Sequence, residues 1–205
     1  NGELFINIHC GYSYKTRKSI IYDIDKEDKT ESPVSSAGFS DNISFFDITN
    51  NGTPEIFGTI GAYGNSTKDY PFSDHYTWLF AYTSDLKFLF PPERLGFYPG
   101  YIKTAPIPST NNRKIGVYKS HHGNKDDSTF LAVYDLNGNL LVHKSLSFNK
   151  NYVEAYFNSW PPHDPQKLIL LTHDGKLREL NRSFKQMEER KLYPMSSVSF
   201  CLDAN

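Results

Sequence analysis

The chain has 205 residues, 38% of them hydrophobic and 15% aromatic, and its 22 Lys and Arg against 23 Asp and Glu leave a formal net charge of −1. That is enough apolar material for a substantial core, so a disordered chain is excluded, and a general phosphate-backbone binder, which would be basic overall, is not expected. No apolar run approaches the roughly 20 residues of a membrane helix, and two cysteines are too few for a disulfide-stapled scaffold.

Short runs rich in Ile, Leu, Val, Tyr and Phe, bounded by turn residues, predict strands along the whole chain. In order they are Leu4–Ile8, Ser19–Ile24, Glu55–Ile60, Trp78–Tyr82, Phe88–Phe90, Lys114–Tyr118, Phe130–Tyr134, Leu140–His143, Val153–Phe157, Lys167–Leu171 and Leu177–Leu180. Asp135-Leu136-Asn137-Gly138-Asn139 lies between two of them, and its Asn-Gly pair predicts a type I′ hairpin. His173-Asp174-Gly175-Lys176 predicts a second turn. Ser183–Leu192 offers only Phe184, Met187 and Leu192 as large apolar residues, too few for a helical face, and reads as a strand end, a charged turn and a new strand.

Four segments overlay on one another. The strand openings Glu3-Leu4-Phe5-Ile6, Glu55-Ile56-Phe57-Gly58, Lys114-Ile115-Gly116-Val117 and Lys167-Leu168-Ile169-Leu170 are each followed by an apolar strand ending in a turn. A period of about 50 residues with several strands per unit predicts an all-β chain of the β-propeller class, with four blade-like repeats in one domain or fragment spanning 1–205. The approximate blades are 1–45, 46–105, 106–155 and 156–205. Leu202-Asp203-Ala204-Asn205 joined to Asn1-Gly2-Glu3-Leu4 repeats the interior pattern Phe46–Ile56. With no initiator Met, the chain is expected to be part of a longer polypeptide, and further blades are conceivable. A β-sandwich with coincidental spacing is the alternative.

Asp47-Ile48-Thr49-Asn50-Asn51-Gly52-Thr53-Pro54-Glu55-Ile56 resembles the Asp-rich motif of FG-GAP/VCBS propeller repeats. The run Tyr70–Leu79 followed by Asp85–Pro92 resembles, more loosely, the propeller region that precedes some Bacteroidetes two-component sensor histidine kinases. The first resemblance implies a calcium site with side-chain oxygens from Asp47, Asn51 and Glu55 and the backbone carbonyl of Thr53. Thr49 stands where the family has Asp or Asn, and Asn51 replaces the usual Asp. The bland reading of the same residues is a tight turn, with Asp47 and Asn51 bonded to their own backbone and Gly52 at positive φ. No cofactor other than calcium is expected. The second resemblance implies an extracytoplasmic, periplasmic or cell-surface, input module.

In a propeller, the loops after equivalent strands converge on one face. Those loops are Cys10–Lys18 with Tyr12 and Arg17, Gly61–Thr77 with Tyr70, Phe72, Asp74, His75 and Tyr76, and Ser120–Ser128 with His121 and His122. Aromatic faces beside carboxylates and histidines suit a small molecule, a glycan or a protein partner, and these residues form the candidate ligand face. The bland reading is that the aromatics cover blade edges. His121 and His122 beside Asp126 and Asp127 suggest a metal less well, because adjacent side chains on an extended backbone point apart. The sequence holds no G-x-S-x-G, P-loop or G-x-G-x-x-G. The expected function is therefore non-enzymatic ligand or partner binding in a signalling protein, with no nucleic acid. The alternatives are a polysaccharide-acting enzyme or its carbohydrate-binding module, and a structural assembly propeller.

Overall fold

The computed structural model describes residues 2–8, 17–35, 39–60, 71–73, 76–97, 100–107, 114–121, 129–145, 153–156, 168–172, 176–181 and 186–191. They are all-β: every regular element among them is a strand, and every strand pairing is antiparallel. No helix among the described residues is long and apolar enough to cross a membrane. The chain divides into two compact units, Asn1–Lys150 and Asn151–Asn205.

The first unit holds three sheets. Strands β1 (Glu3–Ile8), β2 (Lys18–Asp23) and β3 (Asp28–Glu31) form the first, in that order. The second is the meander β4 (Phe39–Phe46), β5 (Glu55–Ile60), β6 (Tyr76–Tyr82) and β7 (Glu93–Phe97). The third runs β8 (Gly100–Ile107), β9 (Lys114–His121), β10 (Phe130–Tyr134) and β11 (Leu140–Ser145), again with sequential neighbours. The second unit is one such meander, β12 (Val153–Tyr156), β13 (Leu168–Thr172), β14 (Lys176–Leu180) and β15 (Gln186–Lys191).

The runs opening at Glu55, Lys114 and Leu168 take the second place in their four-stranded sheets. The run of Leu4 is succeeded by the same two antiparallel partners. Each four-stranded sheet therefore begins one strand earlier than the repeat spacing places it. The strands β4, β8 and β12 pair with β5, β9 and β13, although almost all of each falls inside the preceding span of 1–45, 46–105 or 106–155. Phe88–Phe90, expected as a strand, contributes only an isolated bridge from Phe88 to Tyr82.

Burial explains how the three sheets of the first unit cohere. Successive side chains on a strand point to opposite faces. On the second sheet one face carries Phe57, Leu79 and Ala81, which pack with Ile115, Val117 and Ala132 of the third sheet. The other face carries Ile56, Phe80 and Tyr82, against which Phe5 and Ile21 of the first sheet pack. Tyr82 stacks on Phe88 at 5.2 Å. Its hydroxyl bonds with Ser32 in the segment after β3, and burial pushes its phenol up to about 12. The second sheet is thus buried on both faces, and a single meander could not achieve this alone.

The hairpin Asp135–Asn139 differs from the expected type I′ turn. Only Gly138 has positive φ, at 81°, and Asn137 does not join it. The Asp135 carboxylate is the physical reason: it accepts the N–H of Asn137 at 2.9 Å and that of Asn139 at 2.8 Å. This holds a tight right-handed turn, and the single left-handed residue then closes it as a bulge, matched by the register shift at Val133/Tyr134. A Cβ on Gly138 would lie 2.8 Å from Cδ2 and 3.2 Å from Cβ of Phe90, whereas one on Gly52, at φ 89°, would meet nothing within 4 Å. Both Gly→Ala changes carry the left-handed penalty of about 1 kcal/mol, and Gly138→Ala adds overpacking, for a total of about 2–3 kcal/mol. Denaturant titration of the two variants side by side should show that difference. Equal losses would mean that the hairpin does not press on Phe90.

Candidate functional site

The loop between β4 and β5 is closed by its own side chains. Glu55, the first residue of β5, is 2% exposed. Its Oε2 accepts the N–H groups of Ile48 at 2.8 Å and Thr49 at 3.2 Å. Its Oε1 accepts the Thr49 hydroxyl at 2.6 Å and the Asn51 side-chain N–H at 3.3 Å. Asp47 accepts N–H groups of Asn51 and Gly52 at 2.9 and 3.0 Å. Asn51 Oδ1 accepts the Thr53 N–H at 2.8 Å. Positive φ at Asn50 and Gly52 allows the reversal. The side-chain oxygens expected to ligate calcium, those of Asp47, Asn51 and Glu55, are therefore turned toward N–H and O–H donors of the loop itself. A cation would compete with those donors for the same lone pairs. Among the described residues, no group of three His, Cys, Asp or Glu side chains could hold a metal ion.

Of the candidate ligand face, Tyr12, Tyr70, Asp74, His75 and His122 lie outside the described residues. His121 ends β9, with its backbone opposite Gly100. Three candidates are placed. Arg17 is 2% exposed, and its backbone exchanges two hydrogen bonds of 3.1 Å with Ser35, so it is not presented on an open face. Phe72, at φ 65°, sets its ring edge-on to Trp78, Phe80 and Phe88 at 5.4, 5.1 and 5.8 Å. It is partly buried and packs against the cluster of Ile56, Phe80, Tyr82 and Leu86. Tyr76 opens β6 half-buried, with the Arg94 guanidinium 4.4 Å above its ring. Trp78 donates its indole N–H to the Ser73 carbonyl at 2.9 Å. The end of the loop 61–75 is anchored by packing wherever it is described.

A different feature opens at the other end of the strands. In a meander the β4–β5 and β6–β7 connections share one end of the sheet, opposite the β5–β6 loop. At that end a cleft of about 460 Å³ lies between the first and second sheets. Phe5, Ile21, Phe45 and Ile56 form its apolar lining. Phe45 is 52% exposed and stands edge-on to Phe5 at 5.2 Å. Glu3, Asp23, Lys26 and Asp28 approach from the first sheet and its hairpin, and Thr53, Ser84 and Asp85 from the second. Asp23 is bound by the Lys26 ammonium at 2.5 Å and accepts the N–H groups of Asp25 and Lys26. Those contacts, the Lys26 side-chain bond first, hold its carboxyl below the usual carboxylate range. Asp85 pairs with Lys87 at 2.5 Å and Lys29 with Glu31 at 2.8 Å. The cleft joins residues from β1 to the β6–β7 turn, and no local motif marks it.

No family model matches the chain, and no curated protein does. Among solved structures, a Bacteroides caccae protein described as of unknown function is similar over 92% of this chain, with a TM-score of 0.41 and 11% identity. The chain spans 58% of the length of that structure. A likeness at this level carries no argument about fold or activity.

Proposed function

We propose that the chain is a β-propeller, or an arc of one, and serves as a non-enzymatic, extracytoplasmic module that binds a ligand or partner for a membrane-bound signalling protein. One observation carries the architecture: the second sheet is a four-stranded meander packed on both faces by neighbouring sheets, through Phe57 and Leu79 on one side and Phe80 and Tyr82 on the other. Blades of a propeller stack in this way. The strand edges support it as well. The last strands of three of the four sheets, β3, β7 and β15, carry Asp28-Lys29-Thr30-Glu31, Glu93-Arg94 and Glu188-Glu189-Arg190-Lys191, the charged pattern of edges kept from pairing, whereas β11 of the third sheet exposes Leu140 and Leu141. On β3, the Lys18 and Lys29 side chains hold the Glu31 carboxyl at about 2. The run Glu3-Leu4-Phe5-Ile6-Asn7-Ile8 of β1 has no Lys, Arg, Pro or bulge, the pattern of a strand flanked on both sides.

The binding role rests on the open cleft between two sheets, and its extracytoplasmic setting on the resemblance of Tyr70–Leu79 and Asp85–Pro92 to the propeller region that precedes some sensor histidine kinases. A thermal-shift screen of the intact chain against neutral and charged saccharides, polyamines, small metabolites and peptides tests it. One class should raise the melting temperature by about 5 °C or more at a hundredfold excess over its Kd. A folded chain that responds to none of them would contradict the reading.

A further inference from the structure

The chemistry of the cleft selects among ligand classes. Its lysines and several of its acids are already committed to one another or to neighbours: Lys26 to Asp23, Lys29 to Glu31, Lys87 to Asp85. An anionic ligand would have to break such pairs and would also face Glu3 and Asp28, which have no ion pair among the described residues, at a desolvation cost that pairing no longer offsets, and a cationic one would meet those two acids beside the Lys26 and Lys29 ammoniums. A neutral ligand carrying many hydroxyls can keep every pair and add hydrogen bonds to it, because a carboxylate accepts about four and an ammonium donates three. The carboxylate of Glu3 and the hydroxyl of Ser84 have no side-chain hydrogen bond among the described residues, and both border the same opening. Phe45 supplies the remaining requirement. It is a large aromatic side chain, 52% exposed, in a seam whose other aromatics are almost fully buried, like Phe80 and Tyr82, or partly buried, like Phe5, Phe72, Trp78 and Phe88. An exposed ring beside hydrogen-bonding groups suits a ligand with one apolar face and a polar perimeter.

We propose that the cleft lined by Glu3, Phe5, Phe45 and Ser84 is a binding site for a neutral saccharide, a single sugar or a short oligosaccharide, whose C–H face lies on Phe45 and whose hydroxyls bond Glu3 and Ser84. This deepens the binding-module reading and rests on it. Phe45 is half exposed, so Phe45→Ala leaves the fold in place, and its melting temperature serves as the check. The test is calorimetric or NMR titration of the intact chain with neutral di- and trisaccharides built on glucose, mannose and galactose. Spermidine and a uronic-acid disaccharide serve as cationic and anionic probes. At least one neutral saccharide should bind, weakened tenfold or more by Phe45→Ala and several-fold by Glu3→Gln, and unaffected by Leu141→Ser on β11. Neutral saccharides that bind Phe45→Ala as well as the parent would overturn the site. Binding of spermidine, uronate or peptides alone would overturn the ligand class and leave the binding module standing. Silence from every probe would remove both.

Discussion

Phe57→Ala and Phe80→Ala should each destabilise the chain by about 3–5 kcal/mol, since each deletes a fully buried aromatic side chain and leaves a cavity. The two residues are 0% and 1% exposed. They sit on neighbouring strands of the second sheet and point to opposite faces, Phe57 toward the third sheet and Phe80 toward the first. A sheet with one wet face would show one large loss and one below about 1 kcal/mol, because an exposed aromatic loses little on truncation. Equal losses in denaturant titrations, with unchanged m-values, are the signature of a sheet stacked between two others.

Glu55→Ala comes next in size, at about 3–4 kcal/mol. The substitution removes the acceptor for the Ile48 and Thr49 N–H groups, the Thr49 hydroxyl and the Asn51 amide at one stroke. Ile48 is 1% exposed and belongs to the core between the second and third sheets, so its N–H has no water to turn to. Hydrogen bonds to a charged acceptor are about twice as strong as neutral ones, which raises the loss further. Glu55→Gln keeps one acceptor oxygen but presents an NH₂ group to donors, and should lose about half as much. Asp47→Ala, at an exposed turn with two N–H bonds, should lose about 1–2 kcal/mol. Repeating the three melts in millimolar calcium separates the two readings of the loop. A self-satisfied turn melts at the same temperature with and without the ion. A calcium gain that Asp47→Ala abolishes would instead support the cation site.

How far the sequence is legible depends on how local each signal is. Glu55–Ile60 and Phe130–Tyr134 are strands with the bounds read from sequence, because runs dominated by apolar and β-branched residues end there against turn residues. The strands β4, Phe-Ser-Asp-Asn-Ile-Ser-Phe-Phe, and β8, Gly-Tyr-Ile-Lys-Thr-Ala-Pro-Ile, carry no such signal. The first has a register shift between Phe39 and Ile43, and the second holds a Pro, and both features blur a period of two. The short charged strand β3 has no apolar residue at all and is held by its ladder to β2 and the ion pair of Glu31 with Lys18. The Asp47 turn is readable because its acceptors sit within eight residues of their donors. The cleft is not, because Glu3, Phe45 and Ser84 become neighbours only when two sheets stack. Arg17 resembles a ligand group by composition, yet it is almost fully buried. Long side chains near loop ends also fill seams between sheets, and burial decides between the two roles.

The central claim, that the meanders are blades of a propeller, meets its most direct test in amide hydrogen exchange along β1. Ile24 donates its N–H to the Gly2 carbonyl at 2.9 Å, so Leu4 and Ile6 direct their amides to β2, and Glu3, Phe5 and Asn7 direct theirs to the far side. In β5, β9 and β13, the strands equivalent to β1, both sides are paired. The account predicts that the amides of Glu3, Phe5 and Asn7 exchange as slowly as those of Leu4 and Ile6, because a propeller blade carries a fourth strand on that side. Exchange of these three at the rate of an unfolded peptide, with Leu4 and Ile6 still protected, would contradict a propeller closed within this chain.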